Sequence, residues 1–237
     1  MGSTNALAAE LAADGAAHGT VVLADAQEHG RGRLGRSWSS PPGLNIYMSV
    51  ILRPEETPAL DAAPGLVPLA AGLAALEAIA ESTGYRPGLK WPNDIVSTGG
   101  RKLGGILLEA RSRAGRTGHA ILGIGINVNS TDEDFPPELR GLATSIRMET
   151  GREHEAEGMI RALMASLERT LALMDRPEVV LESYRAACLS LGREVRAEMP
   201  GSGITGRAVD IDALGRLVIE AGGILRPLSS ADITHLR

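Results

Sequence analysis

Residues 30–43 read Gly30-Arg31-Gly32-Arg33-Leu34-Gly35-Arg36-Ser37-Trp38-Ser39-Ser40-Pro41-Pro42-Gly43, and the choice of fold turns on the residues after the third glycine. Gly30, Gly32 and Gly35 satisfy a GxGxxG pattern behind a predicted strand, Thr20 to Gln27. A dinucleotide-binding fold needs a helix to begin at once, so that its N-terminus faces a pyrophosphate. Arg36 to Gly43 supplies Ser, Pro and Gly instead, so that reading fails on context. What remains is a segment, Glu28 to Gly43, expected to be irregular and carrying Arg31, Arg33 and Arg36 among glycines. Glycine lets a backbone approach a ligand closely, and Arg makes bidentate contacts with phosphate or carboxylate. A solvated surface loop and a small RNA-binding loop are the competing readings. Only Trp38 accompanies the cluster, which is little for stacking bases.

A second stretch stands out by its choice of cation. Of 24 Lys and Arg residues only Lys90 and Lys102 are lysine, and both fall in the segment from Lys90-Trp91-Pro92-Asn93-Asp94 to Arg101-Lys102-Leu103-Gly104-Gly105. Lys presents a compact ammonium where Arg presents a wide planar fork. A compact charge suits a position where a carboxylate and a phosphate meet one cation. Coding bias alone is the bland alternative.

Composition sets the outer bounds. The 237 residues can bury a real core and fit one large domain or a large and a small one. With 43% hydrophobic and 22% charged residues the chain reads as a soluble globular protein, and its scarce aromatics leave Leu, Ile, Val and Ala to build the core. A net charge of −5 argues against a general nucleic-acid binder. The single cysteine, Cys188, excludes an intramolecular disulfide and a Cys-rich metal site and fits a reducing cytoplasm. No signal peptide is visible, and the apolar stretch Gly65 to Ala80, interrupted by Pro68 and Glu77, is too short to span a bilayer.

Periodicity and turn chemistry order the rest. Ser3-Thr4-Asn5 offers N-cap oxygens to a helix that stops near Gly15. Strands are expected at Leu44 to Arg53, from Leu89, and over Asp94 to Val96 and Lys102 to Ala110, the last two turned by Thr98-Gly99-Gly100. His119 to Asn127 is a further, central strand. Helices are expected at Leu66 to Ser82, Glu153 to Met174 and Glu178 to Leu191. From Arg193 to Arg237 the pattern changes to five short strands, one pair turned by Asp212-Ala213-Leu214-Gly215, which suggests a small appended β-barrel.

Four segments, in order, resemble the biotin protein ligases: Gly30-Arg31-Gly32-Arg33-Leu34-Gly35-Arg36-Ser37-Trp38, Lys90-Trp91-Pro92-Asn93-Asp94, Lys102-Leu103-Gly104-Gly105-Ile106-Leu107 and Gly123-Ile124-Gly125-Ile126-Asn127-Val128-Asn129. The resemblance covers essentially the whole chain. It implies an α/β (α+β) fold, a mixed sheet related to the class II aminoacyl-tRNA synthetases over residues 1–190, with an SH3-like barrel over residues 191–237. It also implies a two-step reaction: biotin and ATP give biotinyl-5′-AMP and pyrophosphate, and a lysine amine then takes the biotin. The acceptor is the biotin carboxyl carrier protein of acetyl-CoA carboxylase or of another biotin-dependent carboxylase.

The resemblance assigns the site residue by residue. Ser3, Thr4, Gln27, Gly30 and Arg31 face biotin's ureido group, and Gly104 and Gly105 let a strand lie close to the ligand. Lys102 is the central cation, with Arg33 beside it, between the biotin carboxylate and the α-phosphate. Arg31, Arg33, Arg36, Trp38, Asn93, Asp94, Lys102 and Asn127 hold nucleotide. Carboxylate oxygen suits hard cations, so Asp94 is expected to help with Mg²⁺ or to orient a basic side chain. Because the second step needs a neutral amine, Asp94 is also the expected helper in deprotonating the acceptor lysine. With only Met1 and Gly2 before Ser3, a DNA-binding domain and repression are not expected; nor is a membrane partner, and the chain is expected to be a monomer or a homodimer. A lipoate or octanoate transferase of the same fold, a non-catalytic biotin-binding regulator and a nucleic-acid module are the alternatives.

Overall fold

The computed structural model describes residues 1–113, 116–199 and 201–236. Arg237, the last residue of the expected fifth barrel strand, lies outside them. The first unit runs α1 (Thr4–Ala13), β1 (Val21–Ala24), β2 (Ile46–Leu52), α2 (Ala59–Ala62), α3 (Leu66–Thr83), β3 (Gly88–Lys90), β4 (Asp94–Val96), β5 (Lys102–Arg113), β6 (Arg116–Ile126), α4 (Ile146–Thr150), α5 (Ala156–Ala172) and α6 (Pro177–Ala187). Its six strands form one sheet in the order β1-β2-β6-β5-β4-β3. Every ladder is antiparallel, and parallel pairing enters through the isolated bridges Leu89–Cys188 and Lys102–Ala143. β6 lies inside the sheet between β2 and β5, as its apolar sequence requires.

Layering shows most plainly at β2. All seven residues of β2 are buried. Ile46, Met48, Val50 and Leu52 join the main core, whereas Ile51 packs with Ala8 and Ala12 of α1 and with Val22 and Ile121. Helices therefore cover both faces. α3, the one described helix long and apolar enough to span a bilayer, is largely buried against the sheet and α5. Gly72 permits this contact, because a Cβ there would stand 3.1 Å from Leu89 Cδ2. The helix ends at Gly84, whose φ of 76° suits the left-handed C-cap.

The second unit is a five-stranded antiparallel sheet, β7 (Glu194–Met199), β8 (Ser202–Ile211), β9 (Leu217–Ala221), β10 (Ile224–Leu228) and β11 (Asp232–His235), in the order β10-β9-β8-β7-β11. Asp212 to Gly215 forms the expected turn, with Gly215 at φ 76°. The two units share a seam. Trp91, 2% exposed, donates its indole N–H to Gly215 O at 2.9 Å, and Arg185 pairs with Asp210 at 2.6 Å.

Candidate active site

One row of facing residues crosses the sheet: Ala24, Tyr47, Gly125, Gly105, Asp94 and Lys90 are successive partners from β1 to β3. Facing residues project to the same side, so the row is a floor. A cavity of about 450 Å³ lies over it, lined by every member except Ala24. The two glycines make room for the Trp38 indole: a Cβ on Gly125 would fall 2.8 Å from Trp38 Cε2, and one on Gly105 3.1 Å from its Cζ3. Gly104 differs from the expectation for it. It does not line the cavity, since alternation turns it the other way, where a Cβ would meet Gly125 O at 2.8 Å and Ile95 Cδ1 at 3.0 Å. Gly104 serves packing and Gly105 the cavity.

The Gly/Arg segment is more ordered than its composition suggests. Trp38 N–H donates to Gly30 O at 2.9 Å, Gly32 N–H to Arg36 O at 2.7 Å, and Arg31 bridges Ser37, giving a small hairpin. Gly30 is buried at its base rather than in the cavity wall, and a Cβ there would lie 2.3 Å from Trp38 O. At the tip Leu34, 62% exposed, holds φ at 55°, a strained value for a residue with a side chain.

The hairpin delivers its arginines to the cavity, each with an internal partner. Arg31 pairs with Glu109 at 3.1 Å, Arg33 donates to Asn93 Oδ1 at 3.0 Å and to Ser230 Oγ, and Arg36 pairs with Asp232. Burial lowers the Arg33 pKa against the pull of Asp232 and Asp94. Lys102 opens β5 and is pinned there, its N–H donating to Leu142 O and its carbonyl accepting from Thr144 N, both at 2.8 Å. Its Nζ lies 2.6 Å from Asp94 Oδ1 and 5.5 Å from the centre of the Trp38 ring.

The opposite end of the cavity is polar without charge. Ser3 stands at the N-cap position of α1 but makes no cap bond. The Gln27 side chain does that work from outside the helix, Oε1 accepting from Thr4 N at 2.9 Å and Thr4 Oγ1 at 3.1 Å, while Nε2 donates to Ser40 at 3.0 Å. Ser3 Oγ, on a residue 6% exposed, is left buried with no partner among the described residues. A buried hydroxyl without a partner is costly, and its place in the cavity wall points to a ligand. Burial also pushes the neighbouring Tyr47 phenol up to about 12, so it stays a neutral donor, here to Pro41 O at 2.9 Å.

Asn93 and Asn127 line the cavity, but their amides serve the scaffold. Asn93 Nδ2 donates to Ile106 O at 2.8 Å, and Asn127 Nδ2 to Thr144 O at 3.0 Å. Among the described residues no group of three or more acidic, His or Cys side chains could hold a metal by itself. Asp94 offers one carboxylate, with Oδ1 engaged by Lys102. That donor set fits a Mg²⁺ that arrives on phosphate oxygens and keeps several waters.

Several cavity residues were not singled out from sequence. Asn5 donates to Glu109 at 2.8 Å and accepts from Ser49 at 2.6 Å, tying α1 to β5 and β2. Phe135, Leu139 and Leu142 form an apolar edge, and Glu198, Asp232 and Thr234 bring the second unit to the wall. Contacts spanning about a hundred residues leave no periodic signal. Asp232 is one charged residue among several in the second unit, and nothing near it in sequence marks Arg36 as its partner.

Comparison with known proteins agrees with this geometry. The Biotin/lipoate A/B protein ligase family matches residues 2–127, and the Biotin protein ligase C terminal domain matches residues 190–236. The Bifunctional ligase/repressor BirA of Bacillus subtilis is 37% identical over 238 residues, 98% of this chain and 71% of that protein. The Biotin--[acetyl-CoA-carboxylase] ligase of Mycobacterium tuberculosis is 37% identical over 241 residues, 100% of this chain and 86% of its own length. Among solved structures, the biotin protein ligase from Aquifex aeolicus in complex with biotin and ATP superposes with a TM-score of 0.84 at 29% identity, covering 100% of this chain and 95% of that one. With both parts matched and the fold shared end to end, the chain belongs to the biotin protein ligase family.

Proposed function

We propose that residues 1–190 form the catalytic unit and residues 191–237 its C-terminal partner, and that the cavity joins biotin to ATP, then hands the biotin to a carrier lysine. The reaction is biotin–protein ligation: biotin becomes biotinyl-5′-AMP with release of pyrophosphate, and the acceptor is the carrier domain of a biotin-dependent carboxylase. The observation that carries this reading is the polarity of one cavity, with an unpartnered Ser3 hydroxyl at one end and Lys102–Asp94 at the other. Biotin has matching ends, a polar ureido ring and a carboxylate, joined by apolar carbon. The volume suits a small molecule held by a few directed bonds.

Two anions must meet for adenylation, so fixed cations have to offset their repulsion and hold the charge that builds on phosphorus oxygens. Lys102 sits where a compact ammonium touches both, with Arg31, Arg33 and Arg36 adding charge from the hairpin. The Ser3/Thr4 end takes the ureido group, and Trp38 covers the middle. Mg²⁺ supplies further charge neutralisation on the phosphates, beside Asp94. The second step needs a neutral amine, whereas a free lysine has a pKa of about 10.4. Asp94 accepts that proton.

The test is pyrophosphate release with biotin, lipoate or octanoate, in the wild type and in Lys102→Ala and Asp94→Asn. Biotin-dependent release that Lys102→Ala lowers on the order of 10²–10³-fold supports the reading. Release with lipoate alone changes the substrate, and silence with all three acids overturns the ligase reading. Unchanged transfer from preformed adenylate in Asp94→Asn removes Asp94 as the base.

A further inference from the structure

We infer that Lys90 is a catalytic cation of the adenylation step, contacting the β- and γ-phosphates and receiving pyrophosphate as it leaves. The inference rests on the ligase reading above and deepens it by placing the leaving group.

The first observation is an asymmetry among the cations of the cavity. Arg31, Arg36 and Lys102 each have a carboxylate partner, and Arg33 has Asn93 and Ser230. Lys90 lines the same cavity, yet among the described residues no carboxylate oxygen lies within the 4.0 Å of an ion pair from its ammonium. Burial lowers its pKa, with Lys102 and Arg36 adding repulsion; Asp94 and Asp232 act from further off to raise it. A half-buried ammonium without a paired acid is costly to keep. An anionic ligand at this place supplies the missing partner.

The second observation is direction. The floor row sets an axis across the sheet, from Tyr47 over Gly125 and Gly105 to Asp94 and then Lys90. Neighbouring strands lie about 4.8 Å apart, so Lys90 stands one strand beyond Asp94 on the side away from Ser3. With the ureido ring at Ser3, biotin's carboxylate reaches the α-phosphorus from the Gly125–Gly105 side. In this displacement the attacking and leaving oxygens lie in line. A carboxylate oxygen forms the new P–O bond, the bond from α-phosphorus to the bridging oxygen breaks, and pyrophosphate departs with that electron pair. Its path runs toward β3, where the charge it gathers meets Lys90. Thus the two lysines divide the work: Lys102 lies between the reacting anions, and Lys90 holds what is expelled.

Lys90→Met keeps the length and removes the charge; Lys90→Arg restores a cation of different shape. Each half-reaction is measured separately, as single-turnover pyrophosphate release from ATP and biotin, and as transfer from synthetic biotinyl-5′-AMP to a carrier domain. Lys90→Met is expected to slow adenylation on the order of 10²–10³-fold. It also raises the pyrophosphate concentration needed to reverse that step, and it leaves biotin affinity and transfer unchanged. Partial recovery in Lys90→Arg supports the charge itself as the cause. The melting temperature of Lys90→Met should hold or rise, because an unpaired ammonium has been removed. Undiminished adenylation in Lys90→Met, beside an active wild type, overturns the assignment alone. Equal loss in both half-reactions with a lowered melting temperature overturns it too, as a structural role. A wild type that releases no pyrophosphate with biotin overturns the ligase reading and this inference with it.

Discussion

Replacing Ser3 by Ala should stabilise the empty protein and weaken biotin binding, two effects of opposite sign from one oxygen. Ser3 is 6% exposed, and its Oγ has no hydrogen-bond partner among the described residues. Removing a buried, unsatisfied polar group relieves a desolvation cost of about 1–3 kcal/mol. An N-cap serine normally loses about 1 kcal/mol when changed to Ala. That loss comes from a cap bond, and Ser3 makes none. The net gain is therefore about 1 kcal/mol, a rise of roughly 2–4 °C in melting temperature for a chain of this size. Biotin should respond the other way. If the hydroxyl pairs with the ureido group, its loss leaves a buried ligand atom unpaired and weakens binding by about 1.4–2 kcal/mol, or roughly 10–30-fold. Thermal melts without ligand and biotin titration by calorimetry read the two signs. A lower melting temperature with unchanged biotin affinity would refute the idea, since it would make Ser3 a plain helix cap.

Gly125→Ala brings a methyl within 2.8 Å of the Trp38 indole and must displace it. Such overpacking typically costs about 1–3 kcal/mol, and a red shift in tryptophan emission would report the displacement; an unshifted spectrum counts against the slot. The hairpin around strained Leu34 should be cut by protease in the empty protein and protected once biotin and ATP are added, because closing over a mixed anhydride excludes water. Equal cleavage rates would deny that closure. His235 is half-buried, Nε2 3.0 Å from Ser190 Oγ, and burial pushes it down to about 4, with Lys90 and Arg193 adding repulsion. Its folded value lies below the unfolded value of about 6.5, so in that window the unfolded chain holds the extra proton and stability falls as pH drops from about 6.5 toward about 4. The full gap is worth roughly 3 kcal/mol, and screening at a half-exposed ring leaves about 1–2 kcal/mol. Denaturation of His235→Gln at both ends of the window should show a smaller acid loss than wild type.

Local signals were enough for most of the fold. Strands with turn chemistry, such as Lys102 onward and the Asp212–Gly215 turn, and the Ala/Leu helix ending at Gly84 lie where the residues placed them. Burial on both faces of β2 was hidden, because it depends on α1 lying across a strand some forty residues later. The site was legible as motifs but not as roles. Gln27 lines the cavity, as a ligand contact would, but its Oε1 also caps α1, a second role no motif shows. Gly104 and Gly105 look equivalent, and strand parity sends one to the core. Ser230 and Asp232 gain meaning only when β11 comes to rest against Arg33 and Arg36.

The paired cations also bear on the order of the two steps. Crowding Arg31, Arg33, Arg36 and Lys102 around an empty cavity is repulsive, and Glu109, Asp94 and Asp232 hold three of them in place until an anion arrives. Exposed pairs are worth only about 0–1 kcal/mol, so a phosphate can replace a carboxylate at small cost. At Lys102 that exchange has a consequence for Asp94. While the site is empty, Asp94 Oδ1 is held by the Lys102 ammonium at 2.6 Å. Under the proposed function Lys102 turns to the phosphate of the adenylate and gives up its contact with Asp94. On the proposed assignment of Asp94 as base, completion of the first step frees it for the second, and Asp94→Asn should slow transfer from preformed adenylate.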